Sequence, residues 1–149
     1  MDIKEKQILV TAINLVVIFT CYSLYVYTNY VAKDFGILND FKFWGTTFLI
    51  LIPVTIFMQI LIHILFAIIN KIVTNEDIPP HMNDERDKLI DLKAKRISHW
   101  IFTAGFLLAM ATQVLSMPPY VMFITMIISG FASGVVSEMA KLYFYRRGF

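Results

Sequence analysis

The sequence is poor in charge. Aspartate, glutamate, lysine and arginine make up 16% of its 149 residues, against about 25% in an ordinary soluble domain. The net charge is only +2, so the chain lacks the basic field that nucleic acid attracts, and no nucleic-acid partner is expected. It has one cysteine, Cys21, which excludes an intramolecular disulfide; Cys21 reads as a small core residue. No glycine-rich phosphate loop ending in Lys-Ser or Lys-Thr is present, and no His-Glu-x-x-His pair. A Gly-x-Ser-x-Gly elbow is missing too. A metal set of His63, His99 and Glu138 would lack the close His or Cys spacing of such sites, so neither metal nor cofactor is expected. No acid, base and nucleophile converge, and the chain does not read as an enzyme.

Hydrocarbon is what the sequence has in quantity. Hydrophobic residues are 58% of the chain. They gather into four stretches, 8–32, 46–70, 98–116 and 120–145. Crossing a bilayer core of roughly 30 Å takes about 20 helical residues, and each stretch is near or above that length. Backbone polar groups cannot stay unpaired in lipid, so each stretch is predicted to be an α-helix. The fold expected is therefore all-α: one integral membrane domain over 1–149, with four transmembrane helices in a bundle. The first stretch follows Lys4 and Lys6 but runs past Cys21 without a small-residue cleavage site. It reads as a retained span, not a signal peptide.

The cations orient the spans. Lys4 and Lys6 precede span 1, and only Lys33 and Lys42 lie between spans 1 and 2. Lys71, Arg86, Lys88, Lys93, Lys95 and Arg96 lie between spans 2 and 3. None falls between spans 3 and 4, and Lys141, Arg146 and Arg147 close the chain. The positive-inside rule then predicts both termini and the loop 71–97 in the cytoplasm. Tyr25, Tyr27, Tyr30, Phe43, Trp44 and Tyr120 would form an outer aromatic belt, and Trp100, Tyr143 and Tyr145 an inner one.

The loop carries half of the charged residues. Ile78-Pro79-Pro80 would break any helix leaving span 2. Asn83 suits a helix N-cap, and Asp84, Glu85 and Asp87 suit the first turn, where the helix dipole favours acids. Asp84 with Lys88, and Asp91 with Lys95, are acid-first pairs at i,i+4. Leu89, Ile90, Leu92, Ile97 and Ile101 fit one apolar stripe. One long helix from about Asp84 to about Ser116 is predicted, with span 3 extended into the cytoplasm. Asp84, Glu85, Arg86, Asp87, Lys93, Lys95 and Arg96 are its docking or lipid-contact candidates. Lys93, Lys95 and Arg96 would meet anionic headgroups.

The string Asn83-Asp84-Glu85-Arg86-Asp87, followed by Ile90, Lys93-Ala94, Arg96 and Ser98, resembles a signature of a family of small bacterial four-span membrane proteins. The family is of unknown function, and its members often accompany small helix-turn-helix regulators. The resemblance implies a bacterial inner-membrane protein. It brings no catalytic residue with it.

Polar groups inside the spans are few. His63 in span 2 and Glu138 in span 4 should share a depth in the inner part of the bilayer, since each lies about 25 Å along its helix from the outer start. Gly130, Gly134 and Glu138 recur at i,i+4, and Ser129, Ser133 and Ser137 make an adjoining row. Small residues so spaced let another helix come close. Gly130, Gly134 and Ser133 are the helix-packing candidates, and Gly105 with Ala109 offers a similar notch on span 3. Gln59 and Gln113 can hydrogen-bond between helices, and Pro53 can kink span 2.

Two functions fit these features. The first is a non-enzymatic membrane component with a regulatory or immunity-like role, bound to a cytoplasmic protein partner. The second is a small proton-coupled transporter, a homo-oligomer working through Glu138 with His63 tuning it. In a purely structural reading His63 or Lys141 simply pairs with Glu138, or Glu138 snorkels to the inner surface.

Overall fold

The computed structural model describes residues 3–74 and 85–147. The expected cap Asn83 and the docking candidate Asp84 lie outside the described residues, as does the pair Asp84–Lys88. Four long helices make up the fold: α1 (Ile3–Val26), α2 (Phe41–Thr74), α3 (Glu85–Val114) and α4 (Pro119–Arg147). No strand occurs among the described residues. All four helices are long and apolar enough to cross a membrane. The chain is a multi-pass helical membrane protein, as its composition predicts.

Local chemistry sets the helix ends. α1 passes into a wider turn over Tyr27–Val31, with the Ala32 N–H donating to the Tyr27 carbonyl at 2.8 Å. A short 3-10 helix, Phe35–Asn39, follows, and the Asp34 carboxylate caps it by accepting from the Gly36 N–H. Asp40 does the same for α2, accepting from the Lys42 N–H at 2.9 Å. α2 then runs on through Pro53.

The turn between α3 and α4 is a Schellman closure. The Ser116 N–H donates to the Gln113 carbonyl and the Met117 N–H to the Thr112 carbonyl, both at 3.0 Å. Ser116 occupies the left-handed region at φ 57°. Pro118 cannot extend α3, and Pro119 starts α4 where its missing N–H costs nothing.

The helices pack in the order α2, α1, α4, α3. The α3–α4 contact is the closest and rests on small residues. Ile90, Ala94, Gly105 and Ala109 are buried on α3, and Ser129, Ser133, Ser137 and Leu142 on α4. A Cβ placed on Gly105 would lie 2.0 Å from Ser129 Oγ, so only glycine admits the serine at this separation. The Ser129 hydroxyl donates to the Thr125 carbonyl at 2.6 Å, and Ser133 to Gly130 at 2.8 Å. These back-bonds satisfy the hydroxyls without water. Gly134 faces α1, where its Cβ position lies 3.5 Å from Leu15 Cδ1. Gly130 faces open space.

α2 attaches differently. At its first turns Trp44 stacks on Phe123 of α4, with ring centroids 5.4 Å apart and planes 12° from parallel. Trp44 joins Val31 and Leu38 in a buried cluster, and its indole N–H donates to the Leu38 carbonyl at 2.8 Å. Trp44 turns its ring into the bundle at this end of α2, where Leu38 supplies the acceptor that water would otherwise provide. Tyr25, Tyr27 and Tyr30 remain exposed. Cys21 is exposed as well, not a core residue.

Along the rest of α2 the seam with α1 is polar. The Tyr22 hydroxyl donates to the Thr47 carbonyl at 2.9 Å. Asn14, buried within α1, reaches the Met58 carbonyl at 3.5 Å, and Gln7 Nε2 lies 3.3 Å from His63 Nδ1. An apolar recess of about 480 Å³ opens between α1, α2 and α4, walled by Phe19, Tyr22, Val31, Leu51 and Ile127. It lacks the convergent polar groups of a catalytic pocket.

Candidate functional site

The start of α1, the start of α3 and the end of α4 meet at one end of the bundle, and their charges interlock there. Asp87, in the first turn of α3, pairs with Lys4 of α1 and accepts from the Tyr145 hydroxyl of α4 at 2.7 Å. One turn on, Asp91 pairs with Lys95 at 2.6 Å and with Lys141 of α4 at 3.3 Å. Lys141 also pairs with Glu138 at 2.9 Å. Arg146 and Glu5 stand 3.9 Å apart. The first turns of α3 are therefore packed against both neighbouring termini.

Three carboxylates point inward: the side chains of Glu138, Glu5 and Asp87 are 14%, 17% and 18% exposed. Lys141 stands beside them at 22%, while Asp91 is more open at 37%. Lysine and arginine stems are longer and reach the surface, and Lys95 keeps 67% of its side chain exposed despite its pair. Arg86, Lys88, Lys93 and Arg96 are exposed also. Lys93 stands 6.0 Å from the Phe144 ring centroid, a cation–π contact between α3 and α4.

Burial alone would raise the Asp87 carboxyl, but hydrogen bonds from Lys4 and Tyr145 and the Lys4 charge outweigh it. The group is held below the ordinary aspartate value. Asp91 behaves alike: burial pushes it up, and Lys95 and Lys141 bring it lower still. Both residues precede the apolar stretch 98–116.

The remaining predicted residues fall in several places. Glu138 belongs to the charged end through Lys141, and His63 bonds to Gln7 on α1. Among the described residues neither is the other's hydrogen-bond or ion-pair partner. His99 is exposed, and among the described residues no three His, Cys, Asp or Glu side chains gather as metal ligands. Gln113 bonds within its own helix, to Thr112 Oγ1 at 3.4 Å. Gln59 Oε1 is buried, with no donor among the described residues. Of the small residues, Ser133 is buried and Gly134 meets α1, while Gly130 faces open space.

The expected apolar stripe on α3 divides. Ile90 is 1% exposed and packs inward with Ala94, whereas Leu89 and Leu92 are 52% and 62% exposed. They share the outward face with Glu85, Arg96 and Trp100. Lys141 is the Glu138 partner that the sequence offered beside His63. Lys4 and Asn14 are contributors that its pattern did not single out, and the bond from Tyr145 to Asp87 was not foreseen. For Asn14 there was a signal, an amide alone in an apolar run.

No protein-family model, curated protein or solved structure matches the chain.

Proposed function

We propose that this chain is a small non-enzymatic membrane protein of a bacterial cytoplasmic membrane, with the charged end in the cytoplasm, and that it works by binding a protein there through the first turns of α3. One observation carries the reading. Glu5, Asp87 and Glu138 pair inward, which leaves Arg86, Lys88 and Arg96 displayed on the helix, with Lys95 exposed beside its partner Asp91. The asymmetry of Lys and Arg between the two ends supports the orientation. The resemblance of the segment from Asn83 to Ser98 to a bacterial four-span family supports the membrane.

The transporter reading draws less support. Glu138 is committed to Lys141, which also holds Asp91, so its charge is balanced within the protein. A carboxylate that carries a proton or cation across lipid needs a water-filled cavity and a changeable partner.

Affinity purification from native membranes tests the proposal. A protein recovered with the wild-type chain should be lost when Arg86, Lys95 and Arg96 are reversed in charge, and kept in Glu138→Gln. If Glu138→Gln alone removes the phenotype, the transporter reading replaces this one. Reporter fusions that put the segment between α2 and α3 outside the cell would reverse the assigned face.

A further inference from the structure

The outward face of α3 narrows the kind of partner. Glu85, Leu89, Leu92, Arg96 and Trp100 follow one another at spacings of three and four, so they line one side of the helix. Arg86 flanks this line on one side and Lys88 on the other, with Arg96 on the line itself; Lys95 is already paired with Asp91 and Lys93 lies against Phe144. Leu89 and Leu92 stand between basic borders, and Glu85 is the single acid on the stripe.

A basic amphipathic face of this kind suits either a membrane surface or an acidic helix. Geometry separates the two. At about 1.5 Å per residue, Leu92 and Leu89 lie roughly 9 and 13 Å beyond the start of the apolar stretch at Ser98. Headgroups extend only about 5–7 Å beyond the hydrocarbon on each side. Helical side chains also lean toward their own N-terminus, here away from the membrane. α3 cannot fold over to bury the leucines in lipid. Ile90 and Ala94 are packed against α4, and Asp87 and Asp91 are tied to Tyr145 and Lys141.

We infer that the Leu89–Leu92–Arg96 face of α3 seats an acidic amphipathic helix of a soluble protein. Its apolar side chains would cover the two leucines, and its carboxylates would meet the basic borders. This rests on the docking reading above and specifies the chemistry of the partner.

The test uses the full chain in nanodiscs of zwitterionic lipid. The probes are two synthetic amphipathic helical peptides with the same leucine spacing, one flanked by glutamate and one by lysine. The acidic peptide should bind, and less tightly as salt rises; the basic peptide should not. Replacing Leu89 and Leu92 together by Gln removes apolar surface without adding charge and should weaken the acidic peptide by about tenfold or more. Both residues are exposed, so the fold is not at risk. Equal binding of the two peptides overturns the inference, and so does unchanged binding to the glutamine variant. If Leu89→Cys, in a chain with Cys21→Ser, is shielded from a water-soluble thiol reagent in peptide-free nanodiscs, lipid holds this face and the inference also fails. A native partner that still copurifies with the Leu89→Gln, Leu92→Gln chain would leave the docking reading standing and remove this face from it.

Discussion

The Tyr145 hydroxyl donates a 2.7 Å hydrogen bond to Asp87 Oδ1, closing the last turn of α4 onto the first turn of α3. The other oxygen of the same carboxylate takes Lys4 of α1. One carboxylate thus joins three helices.

Acid should loosen this junction. The folded-state value of Asp87 is depressed, so its contribution is fully present above the ordinary aspartate value of 3.8 and is lost as pH falls through the lower, folded value. Asp91 adds in the same direction. Thermal midpoints in detergent should therefore stay level near neutrality and fall below about pH 4. Asp87→Asn should lower the neutral midpoint and flatten the acid limb. A variant with an unchanged acid limb would remove Asp87 from this role.

Gly105→Ala should force α3 and α4 apart. The new Cβ would meet Ser129 Oγ at 2.0 Å and Ser129 Cβ at 2.3 Å. Overpacking of this kind costs about 1–3 kcal/mol. Adding Ser129→Gly clears both atoms and should restore part of the loss, which Ser129→Ala cannot do. Gly130→Ala, with open space around it, should change little. Thermal midpoints of the four chains check the ranking.

Glu138→Gln should be mild and Lys141→Ala severe. The glutamine still offers Lys141 an acceptor, at a cost of about 1 kcal/mol. Removing Lys141 leaves Glu138 without its partner and takes one cation from Asp91. Denaturation by a harsh detergent should rank Lys141→Ala well below Glu138→Gln. The reverse order would mean that Glu138 has a task beyond this pair.

Ser116→Gly should stabilise the protein. Ser116 holds φ 57°, a conformation that costs an L-residue about 1 kcal/mol and glycine almost nothing. The Schellman hydrogen bonds use backbone atoms and survive the change. The midpoint should rise by a few degrees, with Ser116→Val moving it the other way.

The spans were legible because length and apolarity are properties of contiguous sequence. The Asp91–Lys95 pair was legible for the same reason, being one turn apart. Contacts between distant segments were not. Lys4 and Asp87 are 83 positions apart, and no periodicity links them. The leucine stripe shows a subtler limit. Leu89 and Ile90 are adjacent and equally apolar, and only the placement of α4 decides which turns inward. Gly130 and Gly134 share a spacing, yet Leu15 approaches only the second. The inward turn of Trp44 depends on a carbonyl six positions earlier, which no periodicity marks.

The Schellman turn bears on how the chain assembles. Only Leu115 to Pro118 separate α3 from α4, and the glycine notch and serine row on either side are already in register. Contacts so local cost little loop-closure entropy and form early. The second half of the polypeptide is a helical hairpin in its own right, and α1 docks on it through Leu15 and Lys4, bringing α2 along as the last strut of the assembly.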